Sequence, residues 1–391
     1  MENFTFYAPT YFVFGQDSEN ETGKYVKKFG GSKVLIHYGG GSAVRSGLLD
    51  RVKKSLEDYD ITFIELGGVQ PNPRSGLVYK GIELCKKEKV DFILAVGGGS
   101  VIDSAKAIGA GALYDGDFWD FFQGKTVDNS LPIGTVLTIS AAGSEGSDGS
   151  VITHEDGMYK RSAEGEVWRP KFSILNPALT KTLPAYQTAC GITDIIAHLY
   201  ERYLTNTKDV EVSDRLIEAL MLTMIQEGPK AVSNSDDYAS RANIMWGGMM
   251  AHNDCCGVGR SQDWTSHDIE HELSAVYDCA HGAGLAVTMP AVFTYNLKHD
   301  VKRFAQVANR VWGIEMNEEN PEETAKAGIE ALRNFLISIG MPKNFAELGA
   351  KEEDIDLLAH MACFGDGRNG EIGGFVKLNE DDVKRIYRLM L

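Results

Sequence analysis

Hydrophobic residues in the first half of the chain form short runs that alternate with segments of helical spacing. The runs are rich in β-branched and aromatic side chains, which is typical of buried strands. In chain order the predicted elements are strands at 33–38, 61–66, 92–96 and 136–139 and helices at 43–56, 76–87 and 101–112. Alternation of strands and helices, with glycine-rich turns at strand ends, predicts an α/β domain with a doubly wound parallel sheet. Aromatic and small residues alternate over 1–15, which predicts an edge hairpin ahead of this sheet.

The pattern changes near residue 183. Beyond that point helical spacing dominates and strand signals are scarce. The helical segments are 188–205, 211–226, 238–252, 266–277, 301–311, 322–339 and 380–391. A chain of 391 residues is long enough for two cores. We therefore predict an α/β domain over residues 1–183 and an all-helical domain over residues 184–391.

Charge and composition narrow the class of partner. A net charge of −16 argues against nucleic acid and anionic membranes, since both would repel the protein. The six cysteines have no framework spacing and indicate a reducing cytoplasm. The N-terminal segment lacks a basic region followed by an apolar run, so no signal peptide is predicted, and no apolar run is long enough to span a bilayer. The predicted location is the cytoplasm.

The segment that follows the 92–96 strand has the context of a phosphate site. Gly97, Gly98 and Gly99 end the strand and open a helix, so the backbone can approach a ligand and the helix N-terminus can offer free N–H groups. Ser100 is placed to cap that helix and to add a hydroxyl donor. The run matches neither common nucleotide fingerprint, and the alternative is a tight strand-to-helix turn in which Asp103 is only a dipole partner.

Two further loops favour a nucleotide. The glycine-rich loop 39–42 follows a strand at the place where a dinucleotide site meets the adenosine ribose, and NAD selection normally uses a carboxylate there. No carboxylate is present, whereas Ser42 and Arg45 could accept a 2′-phosphate; a plain flexible turn remains the alternative. The hydroxyl-rich loop from Thr138 to Ser147 could line a nucleotide cleft.

Histidines and one aspartate suggest a metal site in the helical half. His267 and His271 are four residues apart, and Asp194 and His198 have the same spacing, so each pair shares one helix face. His281 follows where the chain is expected to turn. These groups could surround one divalent cation with nitrogen and oxygen ligands and no thiolate. Ordinary surface or core histidines are the alternative, because this spacing is common by chance and the HExxH motif is absent.

Four stretches taken together carry a resemblance. AVGGGSVIDSAKAI, TISAAGSE, NPALTKTLPAYQTACGITDIIAH and DWTSHDIEHELSAVYDCAHGAGLA follow one another in the order and spacing of the iron-containing (group III) alcohol dehydrogenases. Nearly the whole chain resembles this family, and in particular its NADPH-dependent butanol dehydrogenase branch. The resemblance implies a dehydroquinate synthase-like architecture, with a dinucleotide-binding α/β domain over residues 1–183 and an all-helical metal-binding or substrate domain over residues 184–391. Two positions depart from the family pattern: Asn176 replaces an aspartate before Pro177, and Ile192 and Thr193 precede Asp194 in place of Gly-Met.

The resemblance also implies the site. The ligands of one divalent metal, with Fe²⁺ favoured and Zn²⁺ possible, would be Asp194, His198, His267 and His281, and His271 would be a catalytic residue outside the ligand set. The residues that would bind NADP(H) are Gly40, Ser42, Asn72, Gly98, Gly99, Ser100, Asp103, Thr138, Ser147, Lys160 and Leu179. The other five histidines are assigned to structural or surface roles.

The expected activity is hydride transfer between NADP(H) and a short- to medium-chain primary alcohol or aldehyde such as butanol or butanal. The resemblance also implies that the protein is a homodimer. The metal would polarise the carbonyl oxygen, and His271 would relay the proton, unless it only supports its neighbours. A glycerol-type dehydrogenase or a dehydroquinate synthase-like enzyme on the same fold is an alternative. The synthase is disfavoured because the helical half has few clustered lysines. A non-catalytic metal- or nucleotide-binding protein is a further alternative, but all four ligands are present.

Overall fold

The computed structural model describes residues 1–391, which divide into two compact units. The sheet unit comprises Tyr7–Leu183 and Asp236–Met249. The helical unit comprises Met1–Phe6, Pro184–Ser235 and Met250–Leu391. No helix combines the length and the apolar character needed to cross a membrane.

The sheet unit is built on a six-stranded sheet whose paired strands all run parallel. Its strands and helices, in chain order, are β1 (Tyr11–Phe14), α1 (Thr22–Lys28), β2 (Lys33–Gly39), α2 (Ser42–Arg45), α3 (Leu48–Glu57), β3 (Thr62–Val69), α4 (Ser75–Glu88), β4 (Phe92–Gly97), α5 (Gly99–Ala112), α6 (Trp119–Phe122), β5 (Ile133–Leu137), β6 (Gly149–His154), β7 (Tyr159–Glu164) and β8 (Phe172–Leu175). Strands β6 and β7 form a separate antiparallel hairpin. Every residue of β4 is buried, which explains why its sequence is continuously apolar rather than alternating.

Strand order places the glycine-rich loops together. The sheet runs β1-β8-β5-β4-β2-β3, so the chain moves outward from β2 to β3 and then returns to β4 on the other side of β2. In open α/β sheets, ligands bind at such a reversal, beyond the carboxyl ends of the strands. Tyr38 pairs with Val96 and Gly97 pairs with Leu137, so β2, β4 and β5 end side by side.

The sheet unit differs from the sequence-based prediction in several places: α1, α6 and β8 were not predicted, and the strand predicted at 136–139 begins and ends earlier, at Ile133–Leu137. The hairpin predicted over residues 1–15 is wrong: only Tyr11–Phe14 is a strand, and it pairs in parallel with β8, far along the chain. The helix predicted over 43–56 is divided into α2 and α3, because Gly47 adopts a left-handed conformation with φ of 68°. The β6–β7 hairpin was missed, since its polar residues lack a clear period-two pattern.

The helical unit contains most of the remaining elements. In chain order these are α7 (Ala185–Tyr203), α8 (Glu211–Ser233), α9 (Tyr238–His252, which lies largely in the sheet unit), α10 (Thr265–Tyr277), α11 (His281–Asn296), α12 (Val301–Arg310), α13 (Pro321–Ser338), α14 (Phe345–Leu348), α15 (Ile355–Phe364), β9 (Glu371–Ile372), β10 (Leu378–Asn379) and α16 (Glu380–Arg388). The predicted fold class, a parallel-sheet domain followed by a helical one, is confirmed.

Helices α7, α10 and α11 pack against one another. The turn expected at His281 is displaced: the chain turns at Asp278, which is left-handed with φ of 50°, and His281 is the first residue of α11. Gly282 and Gly284 allow close packing instead of a turn. A Cβ at Gly282 would lie 2.1 Å from the Cys190 carbonyl oxygen, and one at Gly284 would lie 2.6 Å from Glu270 Oε1.

Candidate metal centre and cofactor-binding loops

The Asp194 carboxylate lies at the middle of a cluster of imidazoles. Its Oδ1 is 3.3 Å from His198 Nε2, 3.6 Å from His267 Nε2 and 3.7 Å from His281 Nε2. Asp194 and His198 are one turn apart on α7, whereas His267 comes from α10 and His281 from the start of α11. The packing of three helices thus brings the four predicted ligands together.

The donor set fits a divalent cation. Asp194 Oδ1 and His267 Nε2 are buried and make no hydrogen bond of acceptable geometry. Leaving buried polar atoms unpaired costs about 1–3 kcal/mol each, so such atoms need an explanation. Two ligands bonded at about 2.1 Å to a tetrahedral cation lie about 3.4 Å apart, close to the spacing found here. One carboxylate oxygen and three imidazole nitrogens suit Fe²⁺ or Zn²⁺.

Buried carboxylates hold two of the imidazoles from behind. Glu201 Oε2 accepts a hydrogen bond from His267 Nδ1, and Glu201 Oε1 accepts from the backbone N–H groups of Ser266 (2.6 Å) and His267 (3.2 Å). Glu270 Oε2 accepts in the same way from His281 Nδ1. Both carboxylates are fully buried. Each places the proton on Nδ1 and leaves the Nε2 lone pair directed towards Asp194, the usual support for a metal-binding histidine.

Ionisation of the cluster follows from burial and from these carboxylates. Burial raises the pKa of Asp194, but the neighbouring imidazoles outweigh it and hold that pKa well below its usual range. Burial lowers the pKa of His198 to about 3. For His267 burial also acts to lower the pKa, but Glu201 and Asp194 outweigh it and raise the pKa to about 10. A cation entering the cluster therefore competes with a proton on His267.

His198 has a different neighbour. Its Nδ1 lies 3.4 Å from Arg202 Nη1, which also donates to the His198 carbonyl oxygen at 3.1 Å. Arg202 Nη2 donates to His252 Nδ1 at 2.6 Å, and the His252 and His198 ring centroids are 4.1 Å apart. Trp264 packs edge-on against His198 and His267, with centroids 5.5 Å and 5.3 Å away. His252, which the sequence grouped with structural histidines, thus lies beside the cluster.

His271 borders the cluster without joining the set around Asp194. It is buried, and its ring centroid lies 5.7 Å from that of His281 and 6.2 Å from that of His267. One of its nitrogens groups instead with Glu270 and His281, all within 4.8 Å of one another. His271 thus lies next to the cluster, and its role as an active-site residue outside the ligand set stays a prediction.

A pocket of about 470 Å³ has Trp264 in its wall. Its wall includes Gln262, Asp268, Arg368 and Lys377. Arg368 donates to Asp268 at 2.8 Å, so the guanidinium charge is compensated.

The phosphate-loop prediction falls at the end of β4. Gly98 is the N-cap of α5, so the expectation that Ser100 caps this helix is wrong; Ser100 lies in its first turn. The first N–H groups of any helix lack intrahelical partners and attract anions. A Cβ at Gly98 would lie 2.2 Å from the Ile139 side chain, so only glycine lets the two loops approach this closely. Thr138 donates its backbone N–H to the Gly97 carbonyl at 3.0 Å.

The loop after β2 is open and lacks an acid. A Cβ at Gly40 would meet nothing within 4 Å. Gly41 has φ of 121°, and Ser42 begins α2. Arg45 is exposed and forms no ion pair with an acidic side chain. The loop therefore presents small residues, a hydroxyl group and a cation.

A buried lysine organises the hydroxyl-rich loop. Lys106 on α5 is completely buried, and its Nζ donates to the carbonyl oxygens of Ser144 (2.8 Å), Ser147 (3.0 Å) and Gly149 (2.7 Å). Burial lowers the pKa of Lys106 to about 8. Asp103 accepts from the Ser144 hydroxyl at 2.6 Å and from the Val151 N–H at 3.1 Å. Asp103 thus has a structural role in tying α5 to this loop.

The remaining predicted cofactor residues lie in the same unit. Lys160 on β7 is buried and donates to Asn72 Oδ1 at 3.0 Å. Asn72 has φ of 52°, at the loop that leads into α4. Leu179 packs against the apolar cluster that includes Val34, Ile36 and Val96.

Both halves of the chain match models of known protein families. Residues 9–177 match the family model "Iron-containing alcohol dehydrogenase", and residues 188–391 match "Fe-containing alcohol dehydrogenase family, C-terminal".

The chain belongs to the iron-containing alcohol dehydrogenase family.

Individual members of this family are similar to this chain over nearly their whole length. A probable NADH-dependent butanol dehydrogenase of Bacillus subtilis is 42% identical and both chains are covered completely. An NADPH-dependent aldehyde reductase of Escherichia coli is 38% identical over 92% of each chain. The crystal structure of an NADH-dependent butanol dehydrogenase A from Thermotoga maritima has a TM-score of 0.96 at 40% identity, covering 100% of this chain and 99% of that one. The predicted dehydroquinate synthase-like architecture is confirmed.

One departure from the family pattern has a local explanation. The Asn176 side chain accepts the Ala178 N–H at 3.0 Å and donates to Glu19 Oε2 at 2.7 Å. Glu19 is buried, so an aspartate at position 176 would place a second carboxylate against it. Asparagine removes that repulsion and keeps the cap.

The sequence did not single out Glu201 or Glu270. Glu201 is three residues after His198, and Glu270 is three residues after His267, so both lie one turn from a predicted ligand. That spacing is the one signal that could have identified them. Arg202, four residues after His198, has the same spacing, whereas His252 and Lys106 have no comparable signal.

Proposed function

We propose that this family member is a divalent-metal-dependent alcohol dehydrogenase or aldehyde reductase. It interconverts short- to medium-chain primary alcohols and aldehydes, such as butanol and butanal, with NADP(H). The observation that carries the proposal is the buried Asp194 Oδ1, which has no hydrogen bond and faces three imidazole nitrogens at 3.3–3.7 Å.

Asp194, His198, His267 and His281 would hold the cation, with Fe²⁺ favoured and Zn²⁺ possible. When bound, a divalent cation supplies Lewis acidity to a carbonyl oxygen, and a reduced nicotinamide supplies hydride to the carbonyl carbon. The protein's own contribution begins with Glu201 and Glu270. Because each fixes an Nδ1 proton, the Nε2 atoms of His267 and His281 stay available and correctly oriented.

Conversion of an aldehyde to an alcohol also requires a proton at oxygen. His271 is proposed to relay it, because it is the one further histidine that borders both His267 and His281. Histidine side chains commonly serve as proton relays in enzymes. Trp264 packs edge-on against His198 and His267 and gives both rings an apolar neighbour.

The proposed cofactor site consists of Gly40, Ser42, Asn72, Gly98, Gly99, Ser100, Asp103, Thr138, Ser147, Lys160 and Leu179. Its support is the adjacency of the β2, β4 and β5 ends and the partly exposed N-terminus of α5. Relatives differ in the cofactor that their names state, since two butanol dehydrogenases are called NADH-dependent and an aldehyde reductase NADPH-dependent. The preference proposed here, NADPH, is supported by the absence of an acid at residues 39–42 and by Arg45.

The central test couples metal content to rate. His267→Ala and His198→Ala should each lose bound metal and butanal reduction together, whereas His360→Ala, an exposed histidine outside the cluster, should change neither. Metal content and rate near wild type in both ligand variants would overturn the ligand assignment. Reactions with butanal, with glycerone and with no added substrate separate the proposed activity from a glycerol-type dehydrogenase and from a non-catalytic protein.

A second test isolates the relay. His271→Ala should retain its metal but react more slowly and with an altered dependence of rate on pH. An unchanged pH profile would contradict the relay and leave His271 as a supporting residue.

We also propose a cytoplasmic homodimer. All six cysteines are free, which suits a reducing compartment. Strand β1 is an edge of the sheet, and Tyr11, Phe14 and Trp246 are 46%, 43% and 42% exposed there. Exposed apolar residues beside an unpaired strand edge favour pairing with a second copy. Light scattering after size exclusion measures the mass directly, and a monomer at micromolar concentration would contradict the dimer.

A further inference from the structure

We propose that Cys255 and Cys256 form a bidentate site for a thiophilic metal or metalloid ion, separate from the nitrogen and oxygen cluster around Asp194. The two cysteines are adjacent in the chain, and their Sγ atoms lie 3.7 Å apart. Neither takes part in the proposed reaction.

The spacing of the two sulfurs suits chelation. Two thiolates bonded at about 2.3 Å to one tetrahedral ion lie about 3.8 Å apart, so both sulfurs can bind one ion without movement of the backbone. A disulfide would require the sulfurs to approach to about 2.05 Å, and disulfide-bonded residues usually have Cα atoms more than about 4.4 Å apart. Neighbouring residues in a trans chain are separated by only about 3.8 Å. The pair is therefore better suited to bridging an ion than to oxidation.

The surrounding loop holds this arrangement in place. Asp254 adopts a left-handed conformation with φ of 72°, and its carbonyl accepts hydrogen bonds from the N–H groups of Gly257 (2.9 Å) and Val258 (3.1 Å). The Cys255 Sγ donates to the Met250 carbonyl at 3.1 Å. The two sulfurs are thus presented by a hydrogen-bonded turn rather than by a flexible segment.

The accessibility of Cys255 and the charge near it both favour binding of a thiophilic ion at this cysteine first. Cys255 is partly exposed, whereas Cys256 is fully buried beneath it. A hydrogen bond from Cys256 and the nearby Arg202 guanidinium lower the pKa of Cys255, whereas that hydrogen bond and burial raise the pKa of Cys256. Thiolates are the nucleophiles and the metal ligands, and soft ions select them over imidazole and carboxylate. An ion would therefore meet Cys255 first and then close a ring onto Cys256.

Phenylarsine oxide is the probe, because its arsenic binds two neighbouring thiols. Each thiol forms an arsenic–sulfur bond, the two thiol protons leave with the oxo oxygen as water, and arsenic stays trivalent. The measurement is the intact mass of the metal-loaded protein after titration, followed by peptide mapping. We expect one phenylarsenic group per chain, bridging Cys255 and Cys256, with the metal content of the protein unchanged.

The single variants test chelation. Cys255→Ser and Cys256→Ser should each bind the arsenical about 10²-fold more weakly, since one sulfur loses the effective concentration of the other. Cys279→Ser is the matched control, because Cys279 is the other partly exposed cysteine, and it should bind as wild type. A dithiol such as 2,3-dimercaptopropanol should remove the arsenic, whereas an excess of monothiol should not.

Retention of wild-type affinity by Cys255→Ser would overturn the proposal, and so would a native protein that reacts only after unfolding. Because Cys256 is buried, the melting temperature of Cys256→Ser is measured alongside. If that variant is destabilised, the partly exposed Cys255→Ser decides the outcome alone.

Discussion

The Glu201 carboxylate accepts hydrogen bonds from two groups of His267, the imidazole Nδ1 and the backbone N–H, the latter at 3.2 Å. One side chain thereby sets both the ring orientation and the start of α10. Because Glu201 also lies one turn from His198 on α7, the same carboxylate couples the two helices that supply three of the four proposed ligands.

Replacing Glu201 by Gln should weaken metal binding about 10–100-fold, the usual cost of losing the partner behind a metal-binding histidine. The glutamine keeps the shape but removes the charge that stabilises the Nδ1 proton. Metal affinity is measured by competition with a chelator. Glu218→Gln provides the control, since Glu218 is a buried carboxylate of the same unit that bonds Tyr203 and Arg215 rather than a ligand. Equal affinities in both variants would contradict this role for Glu201.

Gly282→Ala should separate the helices that carry Asp194 and His281. The added Cβ would lie 2.1 Å from the Cys190 carbonyl oxygen, a backbone atom that cannot rotate away. Overpacking of this kind costs about 1–3 kcal/mol or more, and the metal content should fall with the melting temperature. In Gly228→Ala the nearest atom is a flexible Ile192 side chain at 3.2 Å, so that variant should keep its metal. A fully loaded and equally stable Gly282→Ala protein would show that the packing is looser than described.

Gly40→Asp should shift the cofactor preference towards NADH. The position is sterically open, so an aspartate fits, and its charge would repel a 2′-phosphate while accepting hydrogen bonds from ribose hydroxyls. We expect the ratio of kcat/KM for NADPH to that for NADH to fall at least about tenfold, or about 1.4 kcal/mol. Gly40→Asn, which is isosteric and uncharged, should change the ratio much less. An unchanged ratio in the aspartate variant would mean that this loop does not meet the ribose.

Lys106→Met should weaken cofactor binding while leaving the metal centre intact. Without the ammonium group, the carbonyls of Ser144, Ser147 and Gly149 lose a shared donor, and the hydroxyl-rich loop is held to α5 only by the Ser144–Asp103 hydrogen bond. Removing one partner from a buried charged network costs about 3–5 kcal/mol. The dissociation constant for NADPH, measured by fluorescence, should rise about tenfold or more. Lys86→Met is the control variant, because Lys86 is an exposed lysine that donates a hydrogen bond to the Tyr114 carbonyl. A wild-type dissociation constant for NADPH would mean that Lys106 contributes to the stability of the fold but not to cofactor binding.

His37 should make the protein less stable in mild acid. Its nitrogens bond the Leu66 carbonyl and the Ser104 hydroxyl, and burial lowers its pKa from 6.5 to about 4. Between these values the unfolded state binds the proton and the folded state does not, so the free energy of unfolding falls as the pH falls from 6.5 to 4. The difference amounts to about 3 kcal/mol.

His37→Gln can keep hydrogen bonds but does not titrate. Denaturant unfolding at several pH values should show a smaller loss for this variant than for wild type across that window. If the free energy of unfolding depends on pH in the same way in both proteins, His37 does not contribute to the loss of stability in acid.

Local patterns were enough for most individual elements. Helices α4, α5, α9 and α10 lie within a few residues of their predicted bounds, because an amphipathic period is a property of neighbouring residues. The sequence also predicted the glycine-rich loops that follow β2 and β4. The edge strand was not, because β1 pairs with β8 about 160 residues away and no local pattern specifies a parallel partner at that distance.

The amino-acid sequence by itself determined which residue types stand at helical spacing: Asp194 with His198, and His267 with His271. It could not determine that His281 opens a helix, because its neighbouring glycines read as a turn until their contacts with Cys190 and Glu270 are seen. Nor could it pair Glu201 with His267 or Lys106 with Ser147, since those contacts join separate elements. Only tertiary packing decided them, because hydrogen bonds between distant segments depend on how helices approach one another, and periodicity carries no information about that approach.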